Sequence, residues 1–226
     1  VSRSKLGAVL FVLLYGLSGA VNGSDTARLP SIDAAPAGFV SAAETPSSDS
    51  LVSETRETVS ERDALQIEAA RRFLRERHTR LTHVEIDRLS RVVVAAAHEN
   101  ELEPMLILAV IAVESGGDAF AVSPVGALGL MQILPPTGQE LAERLGVPWR
   151  GPQTLFDPYV NVRLGAAYLR ELADRYDGEI STALVAYNWG PGHIDRRLRR
   201  GTPLPVRYSR LVFDAYDDER DSRSRS

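Results

Sequence analysis

The chain has 226 residues, 44% of them hydrophobic and 25% charged, which leaves room for one globular domain with appendages. Its formal net charge of −4 and pI near 5.7 argue against nucleic acid as the main partner, because phosphate binding needs a basic surface. There is no cysteine, which excludes disulfides, zinc–thiolate sites and cysteine nucleophiles.

Arg3 and Lys5 precede an almost unbroken apolar run from Leu6 to Leu17, followed by the small residues Ser18, Gly19 and Ala20. This pattern predicts a signal peptide over residues 1–20 and an exported protein of the periplasm or cell envelope. The run is shorter than the roughly 20 apolar residues of a membrane span, and an uncleaved anchor is the alternative. Residues 21–60 hold Pro30, Pro36 and Pro46 among Ser, Thr, Ala, Asp and Gly, with Phe39 the only aromatic. Such a stretch cannot bury enough apolar surface to offset its ordering entropy, and a disordered linker is predicted. A second disordered segment is predicted at 217–226, where acids, arginines and serines alternate.

Residues 61–216 read as a single helical domain. Leu65, Ala69, Phe73 and Leu74 recur at helical spacing, as do Val84, Leu89, Val92, Val93 and Ala96. Pro104 suits the first position of a helix reaching Ser115, and the Gly116–Gly117 pair ends it. Further helices are predicted at Thr137–Leu145, Pro158–Tyr176, Ser181–Trp189 and Val206–Tyr216. Strand alternation, repeats and Gly-rich phosphate loops are not evident.

The segment from Met105 to Glu114 places Ile107, Val110, Ile111 and Glu114 on one helical face. A carboxyl ending an apolar stripe is desolvated, which raises its pKa and suits a general acid. The other reading is a helix-end glutamate turned to solvent. Downstream, Ser123-Pro-Val-Gly-Ala-Leu-Gly-Leu-Met131-Gln132 combines two turn or close-approach glycines, Gly126 and Gly129, with an adaptable apolar side chain and an amide. Ala186-Tyr187-Asn188-Trp189-Gly-Pro-Gly then supplies aromatic rings and a further amide, groups suited to N-acetyl sugars. Each also has a plain structural reading: Met131 and Tyr187 in the core, Asn188 as a helix cap.

Taken in order, Glu114-Ser-Gly-Gly, Ser123 through Pro135, Leu155 through Leu169 and Ala186 through Gly192 resemble the soluble-lytic-transglycosylase (SLT) domains. These are lysozyme-like proteins, so the resemblance, over roughly residues 89–215, implies a mainly α domain of the lysozyme-like (α+β) class. It implies Glu114 as the catalytic acid and base, and substrate contacts for Ser123, Met131, Gln132, Tyr187 and Asn188. Many members carry a Glu-Thr pair shortly before a tyrosine near the domain's end. Leu204 and Pro205 stand there instead, while Tyr208 aligns with that tyrosine.

The reaction so implied is non-hydrolytic. Glu114 protonates the oxygen between N-acetylmuramic acid and N-acetylglucosamine, the muramyl acetamido oxygen stabilises the anomeric carbon, and the sugar's own 6-hydroxyl closes a 1,6-anhydro ring. A lysozyme-like hydrolase would need a second carboxylate. Asp118 is the candidate, whereas Asp157 before Pro158 reads as an N-cap. A non-catalytic peptidoglycan-binding domain is the third reading.

His78, His83, His98 and His193 form no pair with metal-ligand context, so neither metal nor cofactor is expected. Arg196, Arg197, Arg199 and Arg200 read as a solvated helix face, or as a surface for acidic peptide stems or anionic envelope polymers. The expected partner is the peptidoglycan glycan strand, with an envelope or secretion machine as a further candidate, and a monomer is expected.

Overall fold

The computed structural model describes residues 48–77 and 79–224, with side-chain environments for 61–77 and 79–218. The signal segment at 1–20, the linker up to residue 47 and His78 lie outside the described residues. The chain divides into two units, 1–58 and 59–226. Of the first, only 48–58 is described, and it is helical.

Helix α1 spans Ser48–Arg75, so it starts inside the stretch predicted as linker. Residues 48–60 contain Glu, Arg, Leu and Val but no Pro or Gly, so nothing local breaks a helix there. Then follow α2 (His83–Glu99), α3 (Pro104–Ser115), α4 (Pro135–Arg144), a 3-10 turn (Pro152–Phe156), α5 (Pro158–Arg175), α6 (Ile180–Trp189), α7 (Pro191–Arg199) and α8 (Arg207–Ser224). Helix α8 continues through most of the segment predicted as a disordered tail, which also lacks Pro and Gly. Arg196 and Arg199 of α7 and Arg200 just after it are exposed, while Arg197 is half-buried and donates to Pro203 O.

Helix α3 is the centre of the second unit. Every residue from Pro104 to Ile111 is buried, not only the stripe of Ile107, Val110 and Ile111. A helix that is apolar all round has no solvent face to offer, so its neighbours enclose it. Helices α8 and α2 pack on it, and α5 packs on α2 and α6. Leu89, Leu108, Ile111, Leu164 and Leu169 are fully buried in the same core. Each contributes about 1.5–3 kcal/mol through burial, and truncating Leu108 to Ala would cost about 2–5 kcal/mol.

Local signals fix the ends of these helices. Pro104 starts α3, and Gly116, at φ 62°, ends it in the left-handed conformation. Thr82 and Glu85 form a reciprocal capping box on α2. Asp157 caps α5, accepting from the N–H groups of Tyr159 and Val160, the role its place before Pro158 suggested. Among the described residues there are no strands. The β component is reduced to two antiparallel bridges, Val122 with Leu128 and Leu128 with Ile133.

Candidate active site

Glu114 lies in the last turn of α3, where the helix emerges from the core. Its carboxyl is largely desolvated, and burial pushes its pKa from the ordinary 4.5 up to about 7. One polar group answers it. The Tyr208 hydroxyl, from α8, donates to Glu114 Oε1 at 2.6 Å, and this bond favours the ionised form against burial. Tyr208 itself is buried, and its own ionisation is pushed well up, by burial first and then by the Glu114 charge. The two elements that form this pair pack closely along α3 and α8.

Tyr187 approaches from α6. Its hydroxyl donates to the Met131 carbonyl at 2.8 Å, and its ring lies 5.3 Å from that of Tyr168 on α5. Burial pushes its ionisation well up, and the Glu114 charge adds to this. The structure therefore pairs Glu114 of α3 with Tyr208 of α8, and ties Tyr187 of α6 to the Met131 carbonyl. Asn188, the next residue, is exposed, and Gly190 rather than Asn188 caps α6. Trp189 turns toward α7, with its ring 5.2 Å from that of His193.

The connection between α3 and α4 meets this cluster at the Met131 carbonyl. Met131 has no exposed surface. Its side chain lies against Gly165 so closely that a Cβ there would meet Met131 Sδ at 2.4 Å. The thioether of Met131, onto which the resemblance carried a substrate contact, is thus packed against α5. Ser123 is also buried, and its Oγ accepts from Ala127 N–H at 2.9 Å, closing the turn. Gln132 sits at φ 49°, unusual for a residue with a side chain. Its amide Nε2 donates to Gly129 O at 2.9 Å and Ala121 O at 3.2 Å, while its Oε1 is buried without a protein partner. Gln132 therefore braces the loop through its amide nitrogen.

Two further residues hold this loop to the helices, and motif reading assigned neither a role. Asn161, fully buried on α5, accepts from Met131 N–H at 2.8 Å and donates to Leu128 O and Leu155 O at 2.9 and 2.8 Å. Gly129 makes room for it. At φ 77°, a Cβ there would stand 2.3 Å from Leu155 O and 2.4 Å from Asn161 Nδ2. Ser115, next to Glu114, donates to Leu130 O at 2.8 Å and so fixes the end of α3 to the same loop. The signal for Asn161 was present: an amide amid Val162, Leu164 and Ala166 must find its partners inside the protein.

Asp118, the candidate second carboxylate, is engaged elsewhere. Its Oδ1 accepts from Phe120 N–H at 2.9 Å, and its Oδ2 lies 3.3 Å from Arg80. Among the described residues no group of three or more His, Cys, Asp or Glu side chains could hold a metal ion, and no helix is long and apolar enough to cross a membrane.

The chain is similar to known transglycosylases. The transglycosylase SLT domain family model matches residues 91–203. A transglycosylase of Enterobacteria phage PRD1 is 42% identical over 96 residues, 42% of this chain and 32% of that protein. An endo-type membrane-bound lytic murein transglycosylase A of Klebsiella pneumoniae is 47% identical over 72 residues, 30% of this chain and 34% of the relative. The crystal structure of the 70 kDa soluble lytic transglycosylase of Escherichia coli is similar with a TM-score of 0.52 and 26% identity, over 61% of this chain and 26% of that one. The chain spans about a third of the length of the two relatives it matches here.

Proposed function

The chain belongs to the transglycosylase SLT domain family, and on that premise we propose that it is a peptidoglycan lytic transglycosylase with Glu114 as its single acid and base. The observation that carries this reading is the Glu114–Tyr208 pair. It combines a carboxyl whose pKa is pushed up to about 7 with a hydroxyl donated to one of its oxygens at 2.6 Å. An acid poised near neutral pH can give up a proton and later take one back.

With Tyr208 donating to Oε1, the other carboxyl oxygen carries the proton. That oxygen protonates the glycosidic oxygen as the bond from the muramyl anomeric carbon breaks, and the N-acetylglucosamine side leaves as an alcohol. The muramyl acetamido oxygen stabilises the cationic carbon. Glu114, now ionised and steadied by Tyr208, accepts the 6-hydroxyl proton as that oxygen bonds to the same carbon. The anhydro ring closes, Glu114 is protonated again, and no water is consumed.

Tyr187, Asn188 and Gln132 line the substrate side of the site and orient the sugars. Ser123 and Met131 act on the substrate indirectly, through the shape of the loop. Asp118 is paired with Arg80 and caps its own turn, which favours this route over a two-carboxylate hydrolase. The substrate places the protein outside the cytoplasm, in keeping with the signal-like segment at 1–20. Mass spectrometry of muropeptides released by the purified protein tests the reading. Anhydro-muramyl ends are expected, and reducing ends in their place would make it a hydrolase.

A further inference from the structure

Three large hydrophobic side chains within one short stretch of the α3–α4 connection face solvent: Phe120 is 47% exposed, Val122 59% and Val125 62%. Scattered exposed apolar residues are ordinary, but a cluster on the segment that also carries Ser123 and Gln132 calls for a partner. The Phe120 ring is not loose. It stacks on Phe156 with centroids 6.1 Å apart and planes 29° from parallel, and Phe156 is itself packed against the core. Its backbone is pinned on both sides. Asp118 takes the Phe120 N–H at 2.9 Å, and the next carbonyl, Ala121 O, receives Gly129 N–H at 2.9 Å and Gln132 Nε2 at 3.2 Å. An aromatic ring is thus held, half in water, one residue from the carbonyl that Gln132 grips.

We infer that Phe120, backed by Phe156, is a stacking platform for a sugar ring of the glycan strand, extending the substrate groove past Gln132. The inference rests on the peptidoglycan reading above. A β-1,4-linked pyranose carries its polar substituents at its rim and presents C–H groups on its faces. Those faces are apolar and weakly positive, and they match the apolar, weakly negative face of a fixed aromatic ring. Because Phe156 and the two backbone anchors already order the ring, little further entropy is lost when a sugar covers it. Asp118 then acts as a positioning residue for Phe120 rather than as a catalytic carboxylate.

The test measures binding in a Glu114→Gln background, where strands are not cleaved. The probes are peptide-free glycan strands of alternating N-acetylglucosamine and N-acetylmuramic acid, compared with the same strands bearing their peptide stems. Phe120→Leu keeps apolar bulk without the ring, and Phe120→Trp restores one. Phe120→Leu is expected to weaken binding of long peptide-free strands about two- to tenfold with an unchanged melting temperature. Phe120→Trp should bind like the parent and change its fluorescence when strands are added. Equal binding by Phe120→Leu and its parent overturns the platform while leaving the enzyme reading intact. A loss seen only with stem-bearing strands also overturns it, in favour of peptide recognition. If the Glu114→Gln parent binds no glycan at all, the platform and the enzyme reading fall together.

Discussion

Tyr208 and Glu114 are 94 positions apart in sequence, yet the tyrosine hydroxyl lies 2.6 Å from Glu114 Oε1. Their pairing sets two opposed influences on one carboxyl: burial, which favours the acid, and a donated hydrogen bond, which favours the carboxylate. Removing the hydroxyl leaves burial unopposed. Tyr208→Phe should therefore move the pH–rate profile toward higher pH by about one unit and lower the maximal rate roughly tenfold or more, since hydrogen bonds to charged groups contribute about 1.5–3 kcal/mol. A profile that keeps both its position and its height would remove Tyr208 from the mechanism.

Glu114→Gln keeps shape and most hydrogen-bonding capacity but cannot transfer a proton. General acid–base catalysis contributes about 10²–10⁴-fold, and here one group acts in both steps. Turnover should fall by at least that factor, while binding of glycan strands persists. Release of anhydro-muropeptides near the wild-type rate would contradict the central role given to this residue.

The same substitution has a signature in stability. Glu114 has a folded pKa raised above its ordinary 4.5 to about 7, so folding favours its protonated form. Its contribution to stability is fully present below pH 4.5 and is lost as pH rises through about 7. Wild-type protein should lose on the order of 2–3 kcal/mol across that window relative to Glu114→Gln. Denaturant titrations of both proteins at several pH values check this, and parallel curves would mean that the carboxyl is well solvated.

Asn161 offers a test of the loop that needs no substrate. Asn161→Leu removes the side-chain partner of Met131 N–H and Leu155 O, while Leu128 O keeps the Ile133 N–H at 3.1 Å. Each buried group left unpaired costs about 1–3 kcal/mol, so a total near 2 kcal/mol or more and a fall in Tm of about 4–8 °C are expected. Gly129→Ala should be harmful for a related reason, since its Cβ would stand 2.3 Å from Leu155 O at a φ of 77°. Thermal melts that move by only a degree or two would show that the loop relaxes without cost.

Asp118→Asn separates the transglycosylase from the hydrolase. Its Oδ1 can still accept from Phe120 N–H, and the lost pairing with the exposed Arg80 is worth no more than about 1 kcal/mol. Most activity should remain. An inactive Asp118→Asn protein, with wild-type products carrying reducing ends, would establish two-carboxylate hydrolysis instead.

Local chemistry was enough to read much of this protein from its residues. Pro104 and Gly116 bound α3, Asp157 caps α5, and the position of Glu114 at the end of an apolar helix already pointed to a desolvated acid. These features depend on neighbours within one or two helical turns, and sequence records them directly. Helix limits in charged segments were less legible. The ends of α1 and α8 lack the prolines and glycines that mark boundaries elsewhere.

Side-chain direction was the part that tertiary structure alone decided. Motif spacing put Met131, Ser123 and Gln132 at the site but could not say that α5 covers Met131, or that Ser123 turns back on Ala127. It could not show that Asp118 faces Arg80, nor that Asn161 ties three backbone groups of two loops together. The Tyr208–Glu114 bond depends on how α8 lies against α3, which follows from the whole core closing around an all-apolar helix. Chain-distant contacts of this kind are set by packing, and packing depends on every helix at once, so no local pattern of residues encodes it.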